Sequence, residues 1–320
     1  MPKIVFTYLV KFLFPVAMTL PQFWVVKSVN MANLIIPLTI VLISLGLLLF
    51  LIYKFKNHNP NIRRTYLFFL LIFLVGLLPH LQLIPLDATI AERWFYVPII
   101  GILGTLLILL ETYWWVLPRR VSVGFISLVI VLLVAWTLIR TFGWYDSKTL
   151  LTRDVALTPG NYYLENTLGA LYLQEKNYAL AKPHIEKSVA AYPYYGNLAN
   201  MGIVYLKEKD YEKARMYFTQ SIDAKGNYTT YQNFANFLLY IMKDYSGARD
   251  FALGSIKRYP KAGLMWLVLA QADYRLGNQA LALGEAETAF KLQPFPLSHD
   301  VFLTILEGRE LDITRYIKEE

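Results

Sequence analysis

The feature that most constrains this chain is a short pattern that returns along its second half. Asn177-Tyr178-Ala179-Leu180-Ala181, Asp210-Tyr211-Glu212-Lys213-Ala214, Asp244-Tyr245-Ser246-Gly247-Ala248 and Asn278-Gln279-Ala280-Leu281-Ala282 end on alanines spaced 33, 34 and 34 residues apart. Seven residues beyond each alanine stand Ser188, Ser221, Ser255 and Ala289, with the same spacing. Each unit then closes at Pro193, Gly226, Pro260 or Pro294. Small side chains let the two helices of a unit approach closely, and proline stops the second helix before the next unit begins. The second half is therefore predicted to be a stack of helix pairs.

Further positions support the same register. Leu168-Gly169 with Tyr172, and Met201-Gly202 with Tyr205, form a Leu-Gly-x-x-Tyr-like feature, and Trp266 supplies the aromatic in the fourth unit. The third unit departs, with Ala235-Asn236 and Leu239 at these places, but keeps its spacing and ending. The pattern resembles the tetratricopeptide repeat. It predicts pairs at about 162–194, 195–228, 229–262 and 263–296, a half-repeat at 144–159 and a capping helix at 298–317. Such a stack presents a concave face built from its first helices, suited to extended peptides. By register that face includes Asn166, Leu206, Lys207, Asn233, Phe237, Tyr240, Gln271, Tyr274 and Arg275. These residues either hold a peptide or glycan or simply pack the helices. Asn227-Tyr228-Thr229 is a glycosylation sequon, relevant only in a cell with that machinery.

The first half is of another kind. The chain is 56% hydrophobic with a mean hydropathy of +0.39, too apolar for an ordinary soluble protein. Residues 1–142 contain eleven Lys or Arg and three Asp or Glu, whereas residues 143–320 contain twenty of each, so the whole net +8 belongs to the first part. Residues 33–53 carry no charge and are long enough to cross about 30 Å of hydrocarbon. Further spans are predicted at 66–84, 95–117 and 121–142. Residues 4–26 are apolar but hold Lys11, Pro15 and Pro21. They read as a kinked span or as a segment lying in the interface. The expected architecture is all-α, with polytopic transmembrane helices followed by an α-solenoid of helix pairs.

Topology follows from the basic residues. The turns at 54–65 and 118–120 carry six, and the loop at 79–94 carries only Arg93. The positive-inside rule puts both turns in the cytoplasm, and the loop and everything from Gly143 onward outside. That outer loop, within Pro79 to Pro98, holds Asp87 and Glu92, two of the three acids of the first half. It is the first candidate for contact with a substrate, and equally a loop whose Trp94, Phe95 and Tyr96 anchor a helix among headgroups. Glu111, the third acid, reads as reaching the inner interface near Tyr113, Trp114 and Trp115.

Several classes are excluded. There is no cysteine, hence no disulfide, thiolate catalysis or cysteine-ligated metal. An exported domain folding without disulfides suits a prokaryotic cell membrane. His58, His80, His184 and His299 have no ligand spacing, so no metal is expected. A pI near 9.3 comes from the membrane half and not from a basic patch on a soluble surface, so nucleic-acid binding is rejected.

The loop and the repeats together resemble the membrane O-mannosyltransferase-like proteins with C-terminal tetratricopeptide repeats, of the GT-C glycosyltransferase class. That family's Pro-x-x-x-Leu-x-Pro and Ala-Glu-Arg-aromatic-Tyr-x-Pro stretches read here as Pro79 to Pro85 and Ala91-Glu92-Arg93-Trp94-Phe95-Tyr96-Val97-Pro98. Tyr8 to Leu20, and the junction through Trp144, Leu150 and Pro159-Gly160-Asn161, are similar too. The resemblance covers the latter part of a full family member. It implies sugar transfer from a polyprenyl-phosphate carrier to a protein hydroxyl on the outer face, with no further cofactor. Arg93, with His80, would grip the lipid phosphate, while Asp87 and Glu92 are the carboxylates available to the chemistry. The family's catalytic acid lies in an acidic first outer loop, and this chain starts after that region. The resemblance therefore implies a second membrane subunit that supplies the loop. The alternatives are a non-catalytic membrane-anchored adaptor and unaided transfer by Asp87 or Glu92. Membrane lipid and a protein or peptide on the repeat face are the expected partners.

Overall fold

The computed structural model describes residues 1–15, 18–55, 60–84, 86–113, 118–313 and 316. Among them the chain is all-α, with one isolated antiparallel bridge between Gln22 and Ile90. It forms two compact units: residues 1–172 with 190–192, and residues 173–189 with 193–320.

In the first unit, α1 spans Pro2–Leu13. Helix α2 (Ile36–Lys54) is entered through a π turn at Met31–Ile35, where the Asn30 side chain accepts the Asn33 N–H at 2.9 Å. Pro37 follows the π turn, at the start of the regular α-helical run. Helix α3 is Pro60–Leu77, α4 is Tyr96–Tyr113 and α5 is Arg119–Phe142. Four stretches are long and apolar enough to cross a membrane: Met31–Lys54, Pro60–Leu81, Glu92–Thr112 and Arg120–Phe142. The second starts at Pro60 rather than 66, because helical hydrogen bonding runs on through Arg63 and Arg64, whose charged ends can reach water. Its α-helix stops at Leu77 rather than 84; a tight turn through Pro79 follows, and Gln82 adopts a left-handed φ of 58°. Helices α3 and α4 approach closely at Gly104, where an added Cβ would stand 2.2 Å from the Phe69 ring. Glu111 is exposed near the end of α4, and Trp114 and Trp115, expected beside it, lie outside the described residues, as does His58.

Residues 4–26 do not form one long helix. After α1 the chain becomes irregular, and Gln22 pairs with the loop at 79–94 through Gln22 N–H to Ile90 O at 2.8 Å and Thr89 N–H to Gln22 O at 2.9 Å. The same strap reaches α6 (Ser147–Leu157) and the start of α7 (Tyr162–Gln174). Leu20 N–H donates to Asp154 Oδ2 at 2.6 Å, and Tyr162 N–H donates to Phe23 O at 3.2 Å. These bonds place the predicted half-repeat and the first helix of the first repeat in the unit that holds the apolar helices, so the division falls at Tyr172–Leu173 rather than at 142/143.

The second unit contains α8 (Tyr178–Ala191, up to Val189), α9 (Tyr195–Lys207), α10 (Tyr211–Asp223), α11 (Tyr228–Asn236), α12 (Tyr245–Arg258), α13 (Gly263–Arg275), α14 (Gln279–Leu292) and α15 (Pro296–Leu306). The recurring alanines Ala181, Ala214, Ala248 and Ala282 are completely buried, as are Ser188, Ser221 and Ala289. At Gly202 an added Cβ would stand 2.7 Å from Phe218, which explains the small residue there. The residue that opens the pattern is a helix cap: Asn177, Asp210 and Asp244 accept the N–H groups of Leu180, Lys213 and Gly247 at 3.2, 3.2 and 2.9 Å. In the third repeat, where Asn236 stands in place of Gly202, a π turn at Phe237–Ile241 follows α11. Helix α15, the predicted capping helix, ends at Leu306 and not at 317, because Gly308 turns the chain at φ 62° and Arg309 N–H returns to Thr304 O at 2.9 Å.

Candidate functional site

Both units contain hollows that gather sequence-predicted residues. One, in the first unit, is a cavity of about 510 Å³ bounded by the strap, the loop at 79–94 and the C-terminal end of α5. Glu92, Arg93 and Tyr96 line one side, and Trp136, Thr137, Arg140 and Trp144 line the other. Helix α5 presents Trp136, Thr137 and Arg140 together because residues three and four apart share a helix face.

The charges of this region are paired. Lys11 Nζ donates to Glu92 Oε1, which also accepts the Thr19 N–H at 2.7 Å. Lys11 is buried, so Glu92 fastens the strap and α1 to the loop. Arg93 Nη2 donates to Asp87 Oδ2 at 3.1 Å, both side chains being largely exposed. Arg140 Nη1 donates to the fully buried Asp154 at 3.0 Å. Each guanidinium has five N–H donors, so these bonds leave donors on Arg93 and Arg140 for an anion in the cavity. Trp136 Nε1 is buried without a hydrogen-bond partner on the same wall. Both carboxylates of the loop, Asp87 and Glu92, are held by cations, an arrangement that fits positioning better than proton abstraction.

His80, grouped with Arg93 by sequence, does not line this cavity. Its ring stacks on Trp94 with centroids 5.4 Å apart, and its Nδ1 is buried without a partner. Arg140, Asp154 and Trp136 escaped the sequence reading. Arg140 is the one charged residue within 121–142, and that was the available signal.

In the second unit a groove of about 510 Å³ runs over the first helices of successive pairs, lined by Leu206, Lys207, Asn233, Phe237 and Tyr240. Lys207 is exposed, and Asn233 and Tyr240 are half-buried. Phe237 is 1% exposed and packs on Phe218, 5.4 Å between centroids, so it is a core residue whose edge reaches the groove. Gln271 is likewise buried and accepts the Tyr240 hydroxyl at 3.1 Å. A neighbouring hollow of about 200 Å³ is lined by Tyr240, Gln271 and Arg275. Tyr274 and Arg275 donate to main-chain carbonyls of the C-terminal segment. Asn166, predicted for the same face, lies on α7 in the first unit. Asn236, exposed in the groove, was missed because it occupies a position reserved for glycine in the pattern.

Helices α12, α13 and α14 share a charge cluster around the fully buried Asp273. Arg249 Nε donates to Asp273 Oδ1 at 2.9 Å, and Asn278 Nδ2 donates to the same oxygen at 2.7 Å. Asp273 Oδ2 and Glu285 Oε2 are buried without hydrogen-bond partners. Burial first, and then the nearby Asp273 carboxylate, push the Glu285 carboxyl up to about 7. Among the described residues no group of His, Asp and Glu has the arrangement of a metal site.

No protein-family model matches the sequence, and no curated protein matches it. Among solved structures, an APC/C hetero-tetramer of Cut9 and Hcn1 is similar at 18% identity with a TM-score of 0.43, covering 49% of this chain, which spans only 32% of that one. YrrB, described as a TPR protein with an unusual peptide-binding site, is similar at 16% identity with a TM-score of 0.41, covering 49% of this chain and 80% of its own. PilF of Pseudomonas aeruginosa is similar at 15% identity with a TM-score of 0.43, covering 57% and 92%.

Proposed function

We propose that this is a membrane-anchored helical-repeat protein that binds an extended segment of a partner protein on the first-helix face of its second unit. The observation that carries this reading is the groove of about 510 Å³, in which exposed Lys207 and Asn236 and half-buried Asn233 and Tyr240 stand over a floor of Leu206 and Phe237. Amide and cationic donors over an apolar floor suit a peptide, whose backbone needs hydrogen bonds and whose side chains need pockets. The four apolar stretches anchor the chain, and the distribution of basic residues favours an extracytoplasmic repeat unit. The test is photocrosslinking in native membranes from a probe at Asn233. A defined partner peptide is expected, its yield cut several-fold by Lys207→Ala with Asn236→Ala. Unchanged crosslinking in that variant overturns the reading.

A second reading rests on the other hollow. Spare donors on Arg93 and Arg140, beside the bare Trp136 Nε1–H, suit the phosphate of a polyprenyl-phosphate sugar at the membrane surface. Both loop carboxylates are engaged by cations, so transfer would draw its catalytic acid from a second membrane subunit. Purification in mild detergent discriminates the readings. A stoichiometric polytopic partner, with polyprenyl-phosphate-sugar transfer lost in Arg93→Ala, is expected of the transferase; recovery without such a subunit leaves the adaptor.

A further inference from the structure

The C-terminal segment after α15 lies on the face assigned above to a partner peptide. Gly308 breaks the helix at φ 62°, and the chain then runs without regular structure through Ile313. Tyr274 Oη donates to the Arg309 carbonyl at 2.7 Å, and Arg275 Nη2 donates to the Leu311 carbonyl. Both donors are residues predicted from register as ligand-binding, and both reach main-chain oxygens on alternate residues. Bonds of that type hold an extended segment whatever its sequence, while side-chain pockets add selectivity. The pockets are present: Leu311 is 5% exposed against Leu267, Val301 and Ile305, and Ile313 and Tyr316 line the groove that contains Lys207 and Tyr240.

We infer that residues 309–313, with Tyr316, are an internal ligand of the first-helix face, across the groove and the neighbouring hollow, and that the protein partner is an extended segment with alternating apolar residues that displaces them. The inference rests on the peptide-binding reading and adds to it both the partner's chemistry and its regulation. Main-chain capture by Tyr274 and Arg275 selects an extended backbone, and the seats of Leu311 and Ile313 select apolar side chains at every second position. A tethered ligand competes at an effective concentration on the order of millimolar, so an incoming peptide must outbid a segment that never diffuses away.

The test uses the full chain in nanodiscs and a fluorescein-labelled synthetic peptide of residues 309–318 as probe. Ile313→Ser with Tyr316→Ala loosens the C-terminal segment without removing Leu311 from the core. The loosened chain is expected to bind the probe about tenfold or more tightly than the intact chain, and Tyr274→Phe with Arg275→Ala in that background is expected to abolish binding. The chain has no native cysteine, so Lys243→Cys with Asp312→Cys, which line one hollow, can be bridged by a short bis-maleimide. Bridging is expected to block the probe, and the unbridged variant to admit it. Equal binding by intact and loosened chains, or no binding by either, overturns the inference. The parent reading is decided separately by the photocrosslink. If Lys207→Ala with Asn236→Ala loses the partner while probe binding is equal, the groove stands and the internal ligand does not; if neither responds, both fall.

Discussion

Arg140 Nη1 lies 3.0 Å from Oδ1 of Asp154, a carboxylate with no solvent exposure. The other oxygen of Asp154 accepts the Leu20 N–H at 2.6 Å. One side chain thus joins the C-terminal end of the last apolar helix, the strap after α1, and the helix that a repeat pattern alone assigns to the stack. It also orients Arg140 over Trp144, 5.6 Å from the ring centroid, at the wall of the cavity.

Removing one partner of this pair is expected to be costly, because the other charge stays buried. Asp154→Ala should destabilise the chain by about 3–5 kcal/mol, and Arg140→Met with Asp154→Leu should recover much of it. Chemical unfolding in detergent checks both. A single variant as stable as the parent would show that the pair carries no structural weight.

Glu92 receives both Lys11 Nζ and the Thr19 N–H. In Glu92→Gln an acceptor remains but the charge is lost, and hydrogen bonds to charged groups contribute about 1.5–3 kcal/mol. Amides of residues 19–23 should exchange about tenfold faster or more, with α3 and α4 unchanged. Hydrogen-exchange mass spectrometry reads this directly, and uniform protection across the strap would contradict it.

At Gly104 a methyl group would stand 2.2 Å from the Phe69 ring. Gly104→Val should therefore force α3 and α4 apart at a cost of about 1–3 kcal/mol. Adding Phe69→Ala makes room and should restore part of the loss. Melting temperatures of the two variants in the same detergent decide the matter.

Glu285 has its carboxyl raised to about 7 by burial and by Asp273. A raised carboxyl means that the folded chain binds a proton the unfolded chain has released. Its contribution to stability is thus complete below the ordinary value of 4.5 and is lost as pH rises through about 7. Glu285→Gln should flatten that slope and be the more stable protein at pH about 8, since an amide can donate to Asp273 Oδ2 without a charge. Thermal melts from acid to mildly alkaline pH test this, and parallel curves for the two proteins would refute it.

Recurring patterns were legible wherever one residue type answers one local need. Ala181, Ala214, Ala248 and Ala282 repeat because each faces a helix at close range, and all four are fully buried. Asn177, Asp210 and Asp244 repeat because each caps a helix. The groove was partly legible: register brought Lys207, Asn233 and Tyr240 to one face, but it could not tell surface from core for Phe237 and Gln271. That distinction depends on how deeply neighbouring helices interlock. The cavity of the first unit was half legible, since the loop announced Glu92 and Arg93 while Arg140, Trp136 and Asp154 come from distant parts of the chain.

By itself the sequence determined the helical class, the apolar stretches and the period of the repeat, because hydropathy and helix packing depend on residues close together along the chain. Only the tertiary structure decided that Lys11 answers Glu92, that Asp154 joins Leu20 to Arg140, and that the last residues turn back onto Tyr274 and Arg275. Those pairings bridge separations of 81, 134 and 36 residues, in the case of Lys11 with Glu92, Leu20 with Asp154 and Arg275 with Leu311. A charge or a carbonyl carries no mark of which distant partner will meet it. The packed helices select the partner, because a buried polar group must be matched by whatever the fold brings within reach.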